Sequence, residues 1–158
     1  MPKRENIEFV IVHITAIPWG TVDSIRRFHV NERGWQDIGY HYLITNCYPT
    51  YDSISQHLPQ MEYDGEVWFG RDLDRDGDID EEIGAHALGF NGRSLGIALI
   101  GQNGIFSSPQ IVALSRKVKE LQDKYDISTE KVIGHNETGN TSKSCPELEM
   151  NWFRGTLD

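Results

Sequence analysis

Two predominantly apolar segments constrain the fold of this 158-residue chain more than any other feature. Residues 7–14 (IEFVIVHI) are rich in β-branched side chains and predict a buried strand, and residues 95–101 (LGIALIG) predict a central strand. Such strands need apolar cover on both faces of their sheet. We therefore expect an α/β fold in which helices flank a central mixed β-sheet.

Shorter segments extend this sheet. Residues 39–46 (GYHYLITN), 66–70 (EVWFG) and 131–135 (KVIGH) have the composition of strands. Residues 47–64 lie between two of them and contain several tyrosines and prolines, which predicts an inserted surface loop.

Two segments have helical periodicity. Thr21 is a suitable N-cap for a helix that continues to about Glu32. Its expected apolar face consists of Val22, Ile25 and Phe28.

A longer helix is predicted from Ser108, as the cap, to Tyr125, with Pro109 in the first turn. Its expected apolar face consists of Ile111, Leu114, Val118, Leu121 and Tyr125.

Length, charge and hydropathy limit where the protein can be located and which molecules it can bind. The chain has the length of one domain, and its formal net charge of -9 argues against binding nucleic acid. No run approaches the ~18 consecutive apolar residues of a membrane span, and the N-terminal apolar run is too short for a secretory signal. We expect a soluble monomer that is made in the cytoplasm and contacts no membrane.

Three residues together suggest a metal site. His13 and His135 each end a predicted strand, and Cys145 precedes Pro146 in a polar loop. A catalytic zinc ion takes three nitrogen, sulfur or oxygen ligands and keeps one position open for water. Taken singly, a histidine at the end of a strand is more often a packed or capped residue than a metal ligand. A disulfide between Cys47 and Cys145 is disfavoured, because a lone bridge is unusual in a cytoplasmic chain of this size.

Six segments of the sequence resemble the motifs of a known protein family. IVHITA, GWQDIGYHYLI, GAHALGFN, SLGIALIG, VIGHNE and KSCPEL occur in the order found in the N-acetylmuramoyl-L-alanine amidase family. The chain resembles this family, which includes phage lysozymes and animal peptidoglycan recognition proteins, from about residue 8 to residue 153. The resemblance implies one catalytic domain over residues 1–158. It also implies hydrolysis, by a zinc-activated water, of the peptidoglycan amide that joins N-acetylmuramic acid to L-alanine.

Carried over residue by residue, the resemblance implies zinc ligands at His13, His135 and Cys145. The cysteine matches the sulfur ligand of the phage lysozymes, whereas the similar recycling amidases place an aspartate there. The resemblance also implies catalytic roles for Tyr40 and Lys143, although a strand tyrosine by itself would more simply fill the core.

Further residues near these motifs are candidates for substrate contact. The resemblance implies that His86 and Asn91 lie along the substrate groove, and His41 follows the catalytic tyrosine. For each of the three, a polar residue that holds a loop is nearly as good an interpretation. Trp19 and Trp35 could line a saccharide cleft or cover the edge of the core.

The resemblance leaves three functions open. The leading one is an endolysin-like hydrolase of a phage or prophage, which reaches the cell wall after holin-dependent release. The second is a muropeptide-binding module that does not cut, although intact ligands together with Tyr40 and Lys143 argue against it. The third is a phage lysozyme with an added role in regulating RNA polymerase.

An acidic loop departs from the family pattern. In DLDRDGDIDEEI, residues 72–83, Asp72, Asp74 and Asp76 occupy positions 1, 3 and 5 of a calcium loop, with Gly77 at the turn. The predicted calcium ligands are Asp72, Asp74, Asp76, Asp78 and Asp80. Position 12 is an isoleucine instead of the usual glutamate, although Glu81 and Glu82 lie close by. The alternative is a solvated acidic hairpin tip.

Overall fold

The computed structural model describes residue 4 and residues 6–158. Its strands are β1 (Phe9–Ile14), β2 (Tyr42–Ile44), β3 (Val67–Phe69), β4 (Ser94–Leu99) and β5 (Val132–Gly134). Its α-helices are α1 (Val22–Asn31), α2 (Tyr51–Ser55), α3 (Ser108–Tyr125) and α4 (Met150–Gly155). Short 3₁₀ turns lie at Met61–Tyr63, Asn91–Arg93, Thr129–Lys131 and His135–Glu137.

The strands form one mixed sheet in the order β3-β2-β4-β1-β5. β1 runs parallel to β4 and to β5, β2 runs parallel to β4, and β3 is antiparallel to β2. In the β1–β4 register, His13 lies opposite Ala98. The predicted α/β fold with a central mixed sheet flanked by helices is confirmed.

Helices cover both faces of this sheet. The larger buried cluster joins one face to α3 and α4, and its members include Val10, Val12, Ile97, Leu99, Leu114, Val118, Leu121 and Phe153. The second cluster joins the other face to α1 and consists of Val22, Ile25, Ile38, Leu43, Ala98 and Ile100. This double cover explains why the sequences of β1 and β4 are continuously apolar. Among the described residues, no helix is long and apolar enough to cross a membrane.

The ends of the two predicted helices differ slightly from expectation. Thr21 caps α1 as predicted, but Phe28 is 38% exposed and His29 takes the buried position. The cap of α3 is Ser107, not Ser108, because the Ser107 hydroxyl accepts the Gln110 backbone N–H at 3.1 Å. Gln110 is itself buried, and its amide donates to the Ile100 carbonyl oxygen at 2.9 Å.

The strand predicted over residues 39–46 is shorter than expected, since regular pairing covers Tyr42–Ile44. The segment predicted as an inserted loop, 47–64, contains α2 and one 3₁₀ turn. Thr50 begins α2, because its hydroxyl accepts the Ser53 backbone N–H at 3.1 Å.

Asp37 joins three parts of the chain. Its Oδ1 accepts hydrogen bonds from Arg26 Nε and from the Ile38 backbone N–H, both at 2.7 Å, and its Oδ2 accepts the Asp72 backbone N–H at 3.1 Å. Burial alone would raise the pKa of this carboxyl. The three donors outweigh burial, so the pKa of Asp37 lies below its usual value.

We predict that Asp37→Asn destabilises the protein by about 2 kcal/mol at pH 7, because an amide cannot accept all three hydrogen bonds. The lowered pKa means that wild type has the full contribution above the unfolded pKa, about 3.9, and loses it as the pH falls through the folded pKa. Urea unfolding at pH 7, 4 and 3 should therefore show a difference that shrinks with acid. Asp23→Asn is the control, because Asp23 also pairs with Arg26 but is 78% exposed. Equal losses in the two variants would contradict the prediction.

Candidate active site

Two parallel strands, β1 and β5, and the loop that follows β5 bring His13, His135 and Cys145 to one edge of the sheet. His13 is the last residue but one of β1, and His135 directly follows β5. The loop after β5 returns Cys145 to this edge, where the Ile14 backbone N–H lies 3.2 Å from Sγ. The Asn136 backbone N–H donates to the Cys145 carbonyl oxygen at 2.8 Å. The contact between the Ile14 N–H and Cys145 Sγ therefore joins parts of the chain that are 131 positions apart.

The three side chains form a compact donor cluster. One nitrogen or sulfur atom from each lies within 4.8 Å of the other two, and His13 Nδ1 lies 3.9 Å from Cys145 Sγ. The rings of His13 and His135 have centroids 4.6 Å apart. His13 is 2% exposed, whereas the other two are half-buried, so the cluster is open on one side.

A chain of hydrogen bonds fixes the tautomer of His13. The Ser94 hydroxyl donates to the Phe90 carbonyl oxygen at 2.8 Å, so its oxygen accepts from His86 Nε2 at 3.3 Å. The Nδ1 of His86 is then an acceptor, and His13 Nε2 donates to it at 2.8 Å. The lone pair of His13 therefore resides on Nδ1, the nitrogen that faces Cys145.

Burial sets the protonation of the cluster. Burial, together with the neighbouring histidines, holds the pKa of His13 and of His86 well below the usual value. Burial and the nearby Lys143 lower the pKa of His135. Burial raises the pKa of the Cys145 thiol to about 11. A bound cation would favour the thiolate, and neutral imidazoles with sulfur are the donors that zinc prefers.

The cluster lies at the bottom of an open cleft of about 540 Å³, which Tyr40, His86 and Lys143 also line. A shallower groove of about 350 Å³ continues from it, with Trp35 and Lys143 in both linings and Asn91 in the second. The combined shape suits an extended ligand that crosses the cluster.

Tyr40 stands beside the donor cluster. Its ring centroid is 5.2 Å from that of His13 and 5.4 Å from that of His29. Burial raises the pKa of Tyr40, so its hydroxyl remains a proton donor at neutral pH. His29 fixes this region, since its Nδ1 accepts the Gly39 backbone N–H at 3.1 Å and its ring contacts Trp35. The sequence patterns did not predict a role for His29, although its position on the periodic buried face of α1 was a signal for one.

Residues 3–148 match the sequence model of the N-acetylmuramoyl-L-alanine amidase family. The chain belongs to the N-acetylmuramoyl-L-alanine amidase family. It is 28% identical to the endolysin of Klebsiella phage KP32, over 98% of this chain and 91% of that protein. It is 27% identical to the endolysin of Escherichia phage T7, again over 98% and 91%.

Solved structures share the fold. The N-acetylmuramoyl-L-alanine amidase LysC from Clostridium intestinale URNW superposes with a TM-score of 0.74 at 24% identity, over 96% of this chain and 85% of that one. Drosophila PGRP-LB, a peptidoglycan recognition protein, superposes with a TM-score of 0.64 at 25% identity, over 91% and 77%. The family match and the similarity to phage endolysins show that the protein is an amidase that hydrolyses peptidoglycan.

Of the three residues predicted to contact substrate, His86 and Asn91 lie at the cleft, whereas His41 lies in the core. His41 is fully buried, its Nδ1 accepts the Gly96 backbone N–H at 3.0 Å, and its Nε2 donates to the Glu82 carbonyl oxygen at 2.6 Å. The prediction that His41 contacts substrate is therefore wrong. Tyr40 lines the cleft, whereas His41 is not among its lining residues.

His86 and Asn91 lie at the cleft but also have structural partners. His86 contacts His13 as described, and Asn91 Oδ1 accepts the backbone N–H groups of His86 and Ala87 at 2.8 and 2.9 Å. Their contact with substrate stays a prediction. Trp35 lines the cleft, whereas Trp19 packs against Tyr51 with ring centroids 6.2 Å apart.

The acidic loop of the amidase departs in part from the predicted calcium pattern. Asp72, Asp74 and Asp76 converge, whereas Asp78 belongs to neither of the two carboxylate groups found there. Asp80 turns into the core, where the Tyr42 and Tyr125 hydroxyls and Lys124 donate to its carboxylate. The prediction of Asp80 as a calcium ligand is therefore wrong.

We predict that Gly96→Ala lowers the amidase rate at least about tenfold, because the added Cβ would lie 2.7 Å from His86 Cγ and displace that ring from His13. Gly155→Ala is the control, since nothing lies within 4 Å of a Cβ added there. Initial rates on purified peptidoglycan, with circular dichroism to verify folding, measure the effect. A folded Gly96→Ala protein with the wild-type rate would refute this role of His86.

Proposed function

We propose that this amidase is zinc-dependent and that His13, His135 and Cys145 hold the metal. The observation that carries the proposal is the convergence of these donors within 4.8 Å at the bottom of an open cleft. Residues 1–158 would then form one catalytic domain. It would cleave the amide between N-acetylmuramic acid and the L-alanine of the stem peptide.

The donor set meets the requirements of catalytic zinc. Such sites use three protein ligands and leave a fourth position for water, and the cluster opens to the cleft on one side. Tetrahedral nitrogen and sulfur ligands of one zinc ion lie roughly 3.5 Å apart, from bond lengths of about 2.0 and 2.3 Å. The separation of 3.9 Å between His13 Nδ1 and Cys145 Sγ is close to this value. The hydrogen bond from His13 Nε2 to His86 keeps the Nδ1 lone pair available.

Two further residues of the cleft would supply the remaining chemistry. When bound, zinc would polarise the scissile carbonyl and activate water for attack. The Tyr40 hydroxyl, protonated at neutral pH, would donate a hydrogen bond beside His13. The exposed Lys143 ammonium would place positive charge near the oxygen of the tetrahedral intermediate. Cleavage leaves a lactyl carboxylate and a new amino terminus on L-alanine.

The same proposal implies where the enzyme acts and how it reaches the cell wall. An enzyme of this kind would meet the cell wall after holin-dependent release from the cytoplasm, as a monomer that binds peptidoglycan and neither nucleic acid nor membrane. The net charge of -9 disfavours a general attraction to anionic polymers. Contact with the wall would therefore come from the cleft.

We predict that a zinc chelator and Cys145→Ser each abolish the release of L-alanine amino termini from peptidoglycan, while wild type releases them. Added zinc should restore the chelated wild type but not the variant, because one of three ligands is lost. Muropeptide binding, measured by calorimetry, distinguishes a simple binding module. If wild type binds muropeptide but releases no amino termini in the presence of zinc, the catalytic proposal fails.

We predict that Tyr40→Phe and Lys143→Met each lower kcat about 100-fold, because each removes a donor or a charge from the reacting amide. Their zinc content should equal that of wild type, since neither residue is a ligand. Lys119→Met, on the exposed side of α3, is the control for the lost positive charge. Unchanged kcat in either variant would remove that residue from the mechanism, and lost zinc would indicate a structural role.

A further inference from the structure

Five carboxylates of the acidic loop gather in two overlapping groups. One oxygen from each of Asp72, Asp74 and Asp76 lies within 4.8 Å of the others, and the same is true of Asp74, Glu81 and Glu82. Asp74 belongs to both groups, so the two are parts of one acidic cluster. The glutamates thus take the place that the sequence pattern gives to Asp78 and Asp80.

Glu82 provides the observation that points to a ligand. Its side chain is fully buried, and Oε1 accepts the Leu73 backbone N–H at 3.1 Å. Its Oε2 is buried without a hydrogen-bond partner among the described residues, as are Oδ1 of Asp72 and Oε1 of Glu81. A buried carboxylate oxygen without a partner is strongly unfavourable, and this loop contains three.

We propose that this loop binds one Ca²⁺ ion through Asp72, Asp74, Asp76, Glu81 and Glu82. The ion would satisfy the unpartnered oxygens and neutralise the mutual repulsion of the carboxylates. The site is separate from the His13, His135 and Cys145 cluster and offers a different donor chemistry.

Electrostatics indicate the crowding that a cation would relieve. Hydrogen bonding to Asp76, with burial and Asp74, raises the pKa of Glu81 to about 7. Burial raises the pKa of Glu82, and the charges of Asp74 and Asp72 add to this effect, whereas the Leu73 N–H and the Arg71 guanidinium partly oppose it.

The donor set favours Ca²⁺ over other metals. All the ligands are carboxylates, which suit hard cations, and the cluster contains neither the imidazole nor the thiolate that zinc prefers. Ca²⁺ accepts irregular sets of six to eight oxygens, whereas Mg²⁺ requires near-octahedral geometry and retains water. The turn is already formed, because Gly77 has a φ of 82° and its N–H donates to Asp72 Oδ2 at 3.0 Å.

The loop also connects to the wall of the cleft. The Glu82 carbonyl oxygen accepts from His41, whose ring is buried beside that of His86. Two residues further on, Gly84 packs against both of these rings, and Ala85 then donates its backbone N–H to the Gly39 carbonyl oxygen at 3.0 Å. An ion that orders the loop would therefore stabilise one side of the cleft.

Calorimetric titration of the zinc-loaded protein with Ca²⁺ and with Mg²⁺ tests the proposal. We expect one Ca²⁺ per chain with a Kd below about 1 mM, the upper end for extracellular calcium modules, and weaker binding of Mg²⁺. Asp74→Asn should weaken Ca²⁺ binding at least tenfold, because Asp74 is common to both groups. Asp123→Asn, an exposed position on α3 with the same change in charge, should bind as wild type does.

Thermal melting adds a second readout. Ca²⁺ at about 10 mM should raise the melting temperature of wild type and of Asp123→Asn clearly more than that of Asp74→Asn or Glu82→Gln. Without calcium, Glu82→Gln should melt above wild type, because it removes one buried negative charge from the crowded carboxylates. Cys145→Ser should keep the full calcium response, so a failure of the zinc proposal is distinguishable from a failure here.

Three results would overturn the calcium site. The first is neither binding heat nor a melting shift at about 10 mM Ca²⁺, well above the expected Kd. The second is an equal calcium response in Asp74→Asn and Asp123→Asn, which would place the binding elsewhere. The third is tighter binding of Mg²⁺ than of Ca²⁺, which would exclude the proposed coordination.

Discussion

The active site depends on the parallel pairing of β1 with β4 on one side and β5 on the other. Parallel strands end at the same edge of a sheet, so this pairing carries His13 and His135 to one place. Apolar cover from α1 on one face and from α3 and α4 on the other buries the strands and makes a one-residue slip of register costly. The remaining donor, Cys145, is positioned against the end of β1 by Ile14.

A second layer of contacts sets the chemistry of these donors. The hydrogen bonds from His13 to His86, and from His86 to Ser94, run from the donor cluster into β4. Gly96 leaves the room that the His86 ring occupies, so the absence of a side chain in β4 is part of the site. The family relationship explains the shared fold with endolysins and peptidoglycan recognition proteins, and these contacts explain how that fold presents a nitrogen lone pair to the cleft.

Sequence patterns predicted most elements because burial periodicity is local. β1, β4, α1 and α3 lie where apolar spacing placed them, with the cap of α3 shifted to Ser107. The errors concern residues whose partners are distant in sequence. His41 was expected at the substrate but is held in the core by Gly96 and Glu82, and Asp80 was expected in the calcium loop but is bound by Tyr42 and Tyr125. Spacing within a loop cannot indicate which carboxylates turn inward.

The sequence by itself determined the fold class, the family and the identities of the chemically capable residues, because each follows from local patterns and from the order of the motifs. Only the tertiary structure decided which of them meet. The fold brings donor atoms of His13, His135 and Cys145 within 4.8 Å of one another. His86 is the buried hydrogen-bond acceptor for His13, and Glu82, not Asp80, belongs to the acidic cluster. The physical reason is that hydrogen-bond partners and burial depend on long-range packing, which residue spacing along the chain does not encode.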